Sequence, residues 1–175
     1  MKLITAAATA VLLSASAASA VTIDFDAFSH GEIVDGDFDF GGLTGKISTN
    51  SNGSFDLAQI YSADNVGGAD PDLEDPTLVT DGTVIYDGGN MLMISENGDT
   101  SNPDDEAAGG TITLMFDKFV KFTGITLIDG EPGANEISVF ADGATVLNSV
   151  FQGQDQFDVY GGFEYVTKSI TVDYG

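Results

Sequence analysis

The chain has 175 residues, room for one domain of ordinary size, and sets 28 acidic residues against five lysines and no arginine, a net charge of −23. The absence of cysteine excludes a disulfide framework, a thiol nucleophile and a cysteine-based zinc site, and the single histidine, His30, excludes a histidine-rich metal centre within the chain. So acidic a surface repels phosphate backbones and anionic lipid, which excludes nucleic acid as a partner and leaves a hard cation as the obvious small one.

In chain order, Lys2, the apolar run Leu3 to Leu13 and the small-residue site Ala18-Ser19-Ala20 predict a signal peptide over residues 1–20. The run is shorter than the roughly 20 residues needed to span a bilayer. The mature chain, 21–175, is expected to form one domain with 28 acids and four lysines, a net charge of −24. Val21, Ile23 and Phe25 then alternate with Thr22, Asp24 and Asp26, which predicts a first strand with its aspartates on the wet face. Ser29 and His30 are neighbours, but adjacency in sequence does not give the side-chain geometry of a catalytic triad, and His30 reads as a surface residue in a turn. The stretch Asp35-Gly36-Asp37-Phe38-Asp39-Phe40-Gly41 begins like an EF-hand loop. Phe40 stands where that loop requires glycine, and Lys46 where it requires a bidentate glutamate. Alternation instead places Asp35, Asp37 and Asp39 on the wet face of a strand.

Two later stretches are too long for hairpins. One runs from Ala63 to Pro76, and the other from Glu96 to Gly110, with five acids and three glycines. Long loops within a compact domain are commonly functional. Ile112, Leu114 and Phe116 share one face of the next strand, with Thr111 and Thr113 on the other. From Phe119 to Ile128 both phases are apolar and the alternation slips at Thr123-Gly124, which predicts a β-bulge or a strand buried on both sides. Ile137, Val139 and Ala141 repeat the two-residue period, as do Val166, Ile170, Val172 and Tyr174. No sustained 3.6-residue stripe follows Ala20. The expected fold class is all-β: a two-sheet β-sandwich, jelly-roll-like, resembling carbohydrate-binding modules. A mature chain of this size buries about two-thirds of its unfolded surface, enough for one two-sheet core.

The chemistry concentrates in Ser95 to Glu106. Calcium takes six to eight oxygen ligands, and this segment supplies Glu96, Asp99, Asp104 and Asp105, with Asn102 and backbone carbonyls to complete a shell. A divalent ion would relieve the repulsion among such closely spaced carboxylates. The same composition also describes a solvated acidic loop. Two carboxylates suffice for glycoside hydrolysis, yet no pair stands out among the 28 acids and no tryptophan is present to line a sugar cleft. Tyr61, Tyr86, Tyr160 and Tyr165 are available either to stack on sugars or to pack between strands.

The block Gly89-Asn90-Met91-Leu92-Met93-Ile94-Ser95-Glu96-Asn97-Gly98-Asp99, continued by Asn102-Pro103-Asp104-Asp105 and Gly109-Gly110-Thr111-Ile112-Thr113, resembles bacterial secreted proteins of the PEP-CTERM and VPLPA-CTERM type. Ile23-Asp24-Phe25-Asp26, the Gly68-to-Leu73 loop and Ile125-Thr126-Leu127-Ile128-Asp129 extend the likeness over most of the mature chain. The resemblance implies an exported β-sandwich for surface display or association with extracellular polysaccharide, and it implies that Asp70, Asp72 and Asp129 approach the acidic loop. Such proteins usually end in a short proline-containing motif, a membrane helix and basic residues, whereas this sequence stops at Asp173-Tyr174-Gly175. No membrane anchor is therefore expected, the chain being either released without sorting or a fragment. The expected function is that of a non-catalytic, secreted, calcium-stabilised domain at the cell surface or in the polysaccharide matrix. A carbohydrate-binding module is the alternative, and an acid-pair glycan hydrolase stands behind both.

Overall fold

Where the alternation leaves one face wet, the chain forms the ladders of a large antiparallel sheet. The computed structural model describes residues 21–64, 73, 79–80, 83–84, 89–128, 137–150 and 157–174. The expected signal peptide, residues 1–20, lies outside them. The strands are β1 (Gly36–Phe40), β2 (Leu43–Ser51), β3 (Ala58–Ser62), β4 (Val79–Thr80), β5 (Thr83–Val84), β6 (Asn90–Ile94), β7 (Gly110–Ile128), β8 (Ile137–Ala141), β9 (Ala144–Val150) and β10 (Phe157–Asp173). Six of them form one sheet in the order β1-β2-β7-β10-β8-β9, β3 pairs with β6, and β4 pairs with β5. Every pairing is antiparallel, and the architecture is the expected all-β sandwich.

The hairpin β1–β2 turns on Gly41 and Gly42, both with positive φ (62° and 91°), the backbone that two-residue hairpin loops require. In β1 the expected alternation holds: Phe38 is buried while Asp37 and Asp39 are exposed, and Asp35 before the strand is exposed too. Ile47, Leu114 and Ile170 lie opposite one another across β2, β7 and β10, on the same inner face as Ile112 and Val172. Thr113 and Thr171 pair on the outer face, their hydroxyls 3.0 Å apart. The inner face packs against Ala58 and Ile94 of the small sheet, which closes the main core.

The small sheet is wider than its two strands. Ile33 bridges to Gln59 on one side and Ser95 bridges to Asp105 on the other. The Gly31 amide donates to the Ile60 carbonyl at 2.8 Å, and the Glu106 amide donates to the Ile94 carbonyl at 3.0 Å. One face of β3–β6 carries Ala58 and Ile94 toward the main core. The other carries Tyr61, Met91 and Met93 into a second cluster with Leu73, against which Ile128 packs.

Two expectations need correction. Residues 21–25 form no strand ladder, and Asp26 enters a turn. The Asn90 side-chain amide takes the carbonyls of Phe25 and Phe28 at 3.2 and 2.7 Å, and the Phe28 amide turns back to Phe25 at 3.0 Å. The alternation survives without a ladder, with Ile23 and Phe25 half-buried and Asp24 and Asp26 exposed. Val166 does not share the face of Ile170 and Val172. It is 68% exposed, because the β7–β10 register shifts between Thr167 and Ser169. The amides of Lys168 and Ser169 bond instead to the Asp142 carboxylate, at 3.0 and 2.9 Å. The slip expected near Thr123-Gly124 is a second register shift. Gly161 pairs with Gly124 and Tyr165 with Phe122, so three residues of β10 oppose one of β7.

Candidate functional site

The acidic loop leaves β6 at Ser95 and returns to the large sheet at Gly110. Its shape is set by short polar side chains bonding their own backbone, the usual chemistry of Asx and Ser turns. The buried Ser95 hydroxyl accepts the Gly98 amide at 2.9 Å, and Asn97 Oδ1 accepts the Asp99 amide at 2.8 Å. Asn97 Nδ2 donates across the loop to the Asn102 carbonyl at 3.0 Å. The Glu96 amide donates to the Asp104 carbonyl at 2.8 Å, which zips the two ends together. Pro103, within the loop, is fully buried.

The loop rests on Gln59 and Gly31. Gln59 is fully buried, and its Nε2 donates to the carbonyls of Gly31 at 3.0 Å and Asp99 at 3.2 Å, while its Oε1 is buried with no hydrogen-bond partner. A Cβ on Gly31 would stand 1.9 Å from the Thr100 carbonyl oxygen, and its φ is +78°. Only glycine lets the loop lie this close. Nothing in the alternation of the sequence marks Gln59, which lies inside the run Ala58-Gln59-Ile60-Tyr61, buried from end to end.

The expected calcium ligands fall as follows. Glu96 and Asp99 are exposed, Asp104 and Asp105 half-buried. Asp99 Oδ1 accepts the Ser101 hydroxyl at 2.7 Å and the Ser101 amide at 2.8 Å, and these bonds hold its carboxyl below the ordinary range. Burial of the Tyr174 phenol, with the Asp105 carboxylate acting on it, pushes the phenol up to about 12. Glu106 is turned to Ser51, whose hydroxyl donates to it at 3.2 Å, and to the Ala108 amide at 3.0 Å. Among the described residues, no three His, Cys, Asp or Glu side chains gather as a metal-holding group. Asp70, Asp72 and Asp129 lie outside the described residues. Leu73 and Ile128, distant in sequence, pack with Tyr61, Met91 and Met93 in one cluster. That cluster shares the sheet face of Gln59, on which the loop rests.

His30 lies in a turn, as expected, and is half-buried there. Its Nδ1 accepts the Ser62 amide at 3.1 Å, its Nε2 is buried without a partner, and its ring meets Tyr61 edge-on at 5.1 Å. Tyr61 is itself fully buried, so it offers no stacking surface to a sugar, whereas Tyr165 is exposed; Tyr86 lies outside the described residues.

A second feature has no counterpart in the sequence reading. Between the inner face of the large sheet and β6 runs a cleft of about 780 Å³. Leu92, Leu114, Val120 and Ile125 line it and are only half-buried, although all four pack against the core. No family model, curated protein or solved structure matches this chain.

Proposed function

We propose that this chain is a non-catalytic, exported β-sandwich, stabilised by calcium and acting at the cell surface or in an extracellular polysaccharide matrix. The observation that supports the calcium part is the acidic loop itself, whose two ends are drawn together by the Glu96 amide on the Asp104 carbonyl at 2.8 Å. That closure sets the backbones of Glu96 and Asp104 side by side in a loop that also carries Asp99 and Asp105; Asp70, Asp72 and Asp129 join them only as the resemblance implies. Those carboxylates, with loop carbonyls, are the oxygen donors calcium takes. The non-catalytic part is supported by His30, whose ring is committed to the Ser62 amide rather than to a hydroxyl nucleophile. Export and matrix association are supported by the signal-like leader and by the resemblance to secreted sorted proteins.

Calorimetric titration and thermal melts test this reading. A folded-state site adds about 2.7 kcal/mol at a hundredfold excess of ligand over Kd. Extracellular calcium sites bind with Kd on the order of 0.1–1 mM. Millimolar calcium is therefore expected to raise Tm by several degrees, and magnesium at equal ionic strength by much less. Asp104→Asn with Asp105→Asn is expected to abolish the difference. Equal stabilisation by the two ions, or an unchanged response in the double variant, would leave the loop as solvated acidic surface.

A further inference from the structure

We propose that the cleft between the sheets binds a single aliphatic chain carrying an uncharged, hydroxyl-bearing head. The inference goes beyond the calcium reading and does not depend on it. The volume of about 780 Å³ lies within the range of natural ligand pockets, roughly 300–1,000 Å³, which are mostly apolar with a few placed polar groups. Leu92, Leu114, Val120 and Ile125 sit where a filled core would bury them completely, yet each keeps exposure to the cleft. Apolar wall that stays wet is the surface an alkyl chain covers with gain.

The polar lining selects the head. Asp24, Asp26 and Asp105 are among the residues lining the cleft, as is Glu106, whose carboxylate is turned to Ser51 and Ala108; the lysine that lines it, Lys121, is already paired with Glu164 at 2.8 Å. Carboxylates are acceptors only, so they reward a head with O–H donors. They repel a carboxylate, sulfate or phosphate head, and the chain's net charge adds to that repulsion. The occupant is thus an alcohol or polyol ester of a long alkyl chain rather than a fatty acid or phospholipid.

The test uses the full exported chain in calcium-free buffer, so that its outcome is separate from that of the metal titration. Displacement of Nile red is measured with three ligands of equal chain length: 1-decanol, decanoate and decyltrimethylammonium. Decanol is expected to bind at least tenfold more tightly than decanoate. Leu114→Trp, which fills the cleft from the inner face, is expected to lose decanol binding at least tenfold. Met115→Trp, one residue on and facing outward, is expected to keep it. Should Leu114→Trp fail to fold, the exposed pair Asp24→Asn with Asp26→Asn provides the second arm and is expected to raise decanoate affinity severalfold. Decanoate binding as tightly as decanol, or decyltrimethylammonium binding more tightly, would overturn the assignment of the head. Absence of binding by all three would show that the chain fills its own cleft, and would overturn the site.

Discussion

The two sheets obey different rules. The six-stranded sheet keeps one face toward water, so its strands alternate: in β8, Ile137, Val139 and Ala141 are buried and the residues between them are not. In the small sheet β3 is covered on both faces, and its four successive residues Ala58 to Tyr61 are fully buried. Alternation measures contact with solvent rather than strand character, and it disappears where solvent is absent on both sides. The small sheet also holds the buried polar groups on which the acidic loop rests, Gln59 and Ser95. The large sheet supplies area, whereas the small one supplies the platform.

The largest expected effect contrasts the two directly. Ile60 of β3 is fully buried, and Ile60→Ala is expected to cost about 2–5 kcal/mol through lost burial and the cavity left behind. Val166 lies in the longest ladder of the large sheet yet is 68% exposed, and Val166→Ala is expected to stay within about 0.5 kcal/mol. Urea midpoints at constant slope decide the matter. Comparable losses would mean that β3 is not covered on both faces.

A smaller effect isolates the platform. Gln59→Leu keeps the bulk but leaves the carbonyls of Gly31 and Asp99 without their donor, at a cost of about 1–3 kcal/mol for buried acceptors. Amide exchange is expected to quicken over Asn97 to Asn102 and to stay unchanged in β7 and β10. Uniform quickening would show that Gln59 supports the whole core rather than the loop.

The same contrast explains what the sequence revealed. The fold class followed from Ile112-Leu114-Phe116 and Ile137-Val139-Ala141, strands with one wet face. The slip at Thr123-Gly124 was legible because a bulge shifts the phase of the alternation. The displacement of Val166 was not, since the register shift beside it is stabilised by Asp142, which is remote in sequence and bonds the Lys168 and Ser169 amides. The stretch 21–26 shows the converse: its alternation reports one half-buried side, while Asn90 takes the Phe25 carbonyl a partner strand would need. In the site, composition located the acidic loop. It could not reveal that Gln59 lies beneath, because that contact with the Gly31 and Asp99 carbonyls joins segments 28 and 40 residues apart.

The smallest expected effect is a pH dependence confined to the small sheet. Burial holds the His30 imidazole below its ordinary value of 6.5. Because Nδ1 accepts the Ser62 amide, the neutral ring carries its hydrogen on Nε2, and protonating Nδ1 breaks that bond. On acidification the unfolded chain takes the proton first, so the contribution of His30 is complete above the unfolded value and declines as the pH falls below it. Asp99 and Glu164, held low by Ser101 and Lys121, lose their contributions only at more acidic pH, in the carboxylate range. Urea unfolding between about pH 7.5 and 5.5 therefore reports on the histidine, opposed by Asp35, whose carboxyl is raised by burial and then by Asp56. The parent is expected to lose stability across that interval. His30→Gln, whose side-chain oxygen can still accept the Ser62 amide, is expected to lose less. The exposed carboxylates act in the opposite sense by favouring imidazolium, but salt screens them over about 10 Å at 0.1 M. Raising the ionic strength should steepen the decline in the parent and leave His30→Gln unchanged. A slope that persists undiminished in His30→Gln would assign the dependence to the acids and remove the histidine from the account of the small sheet.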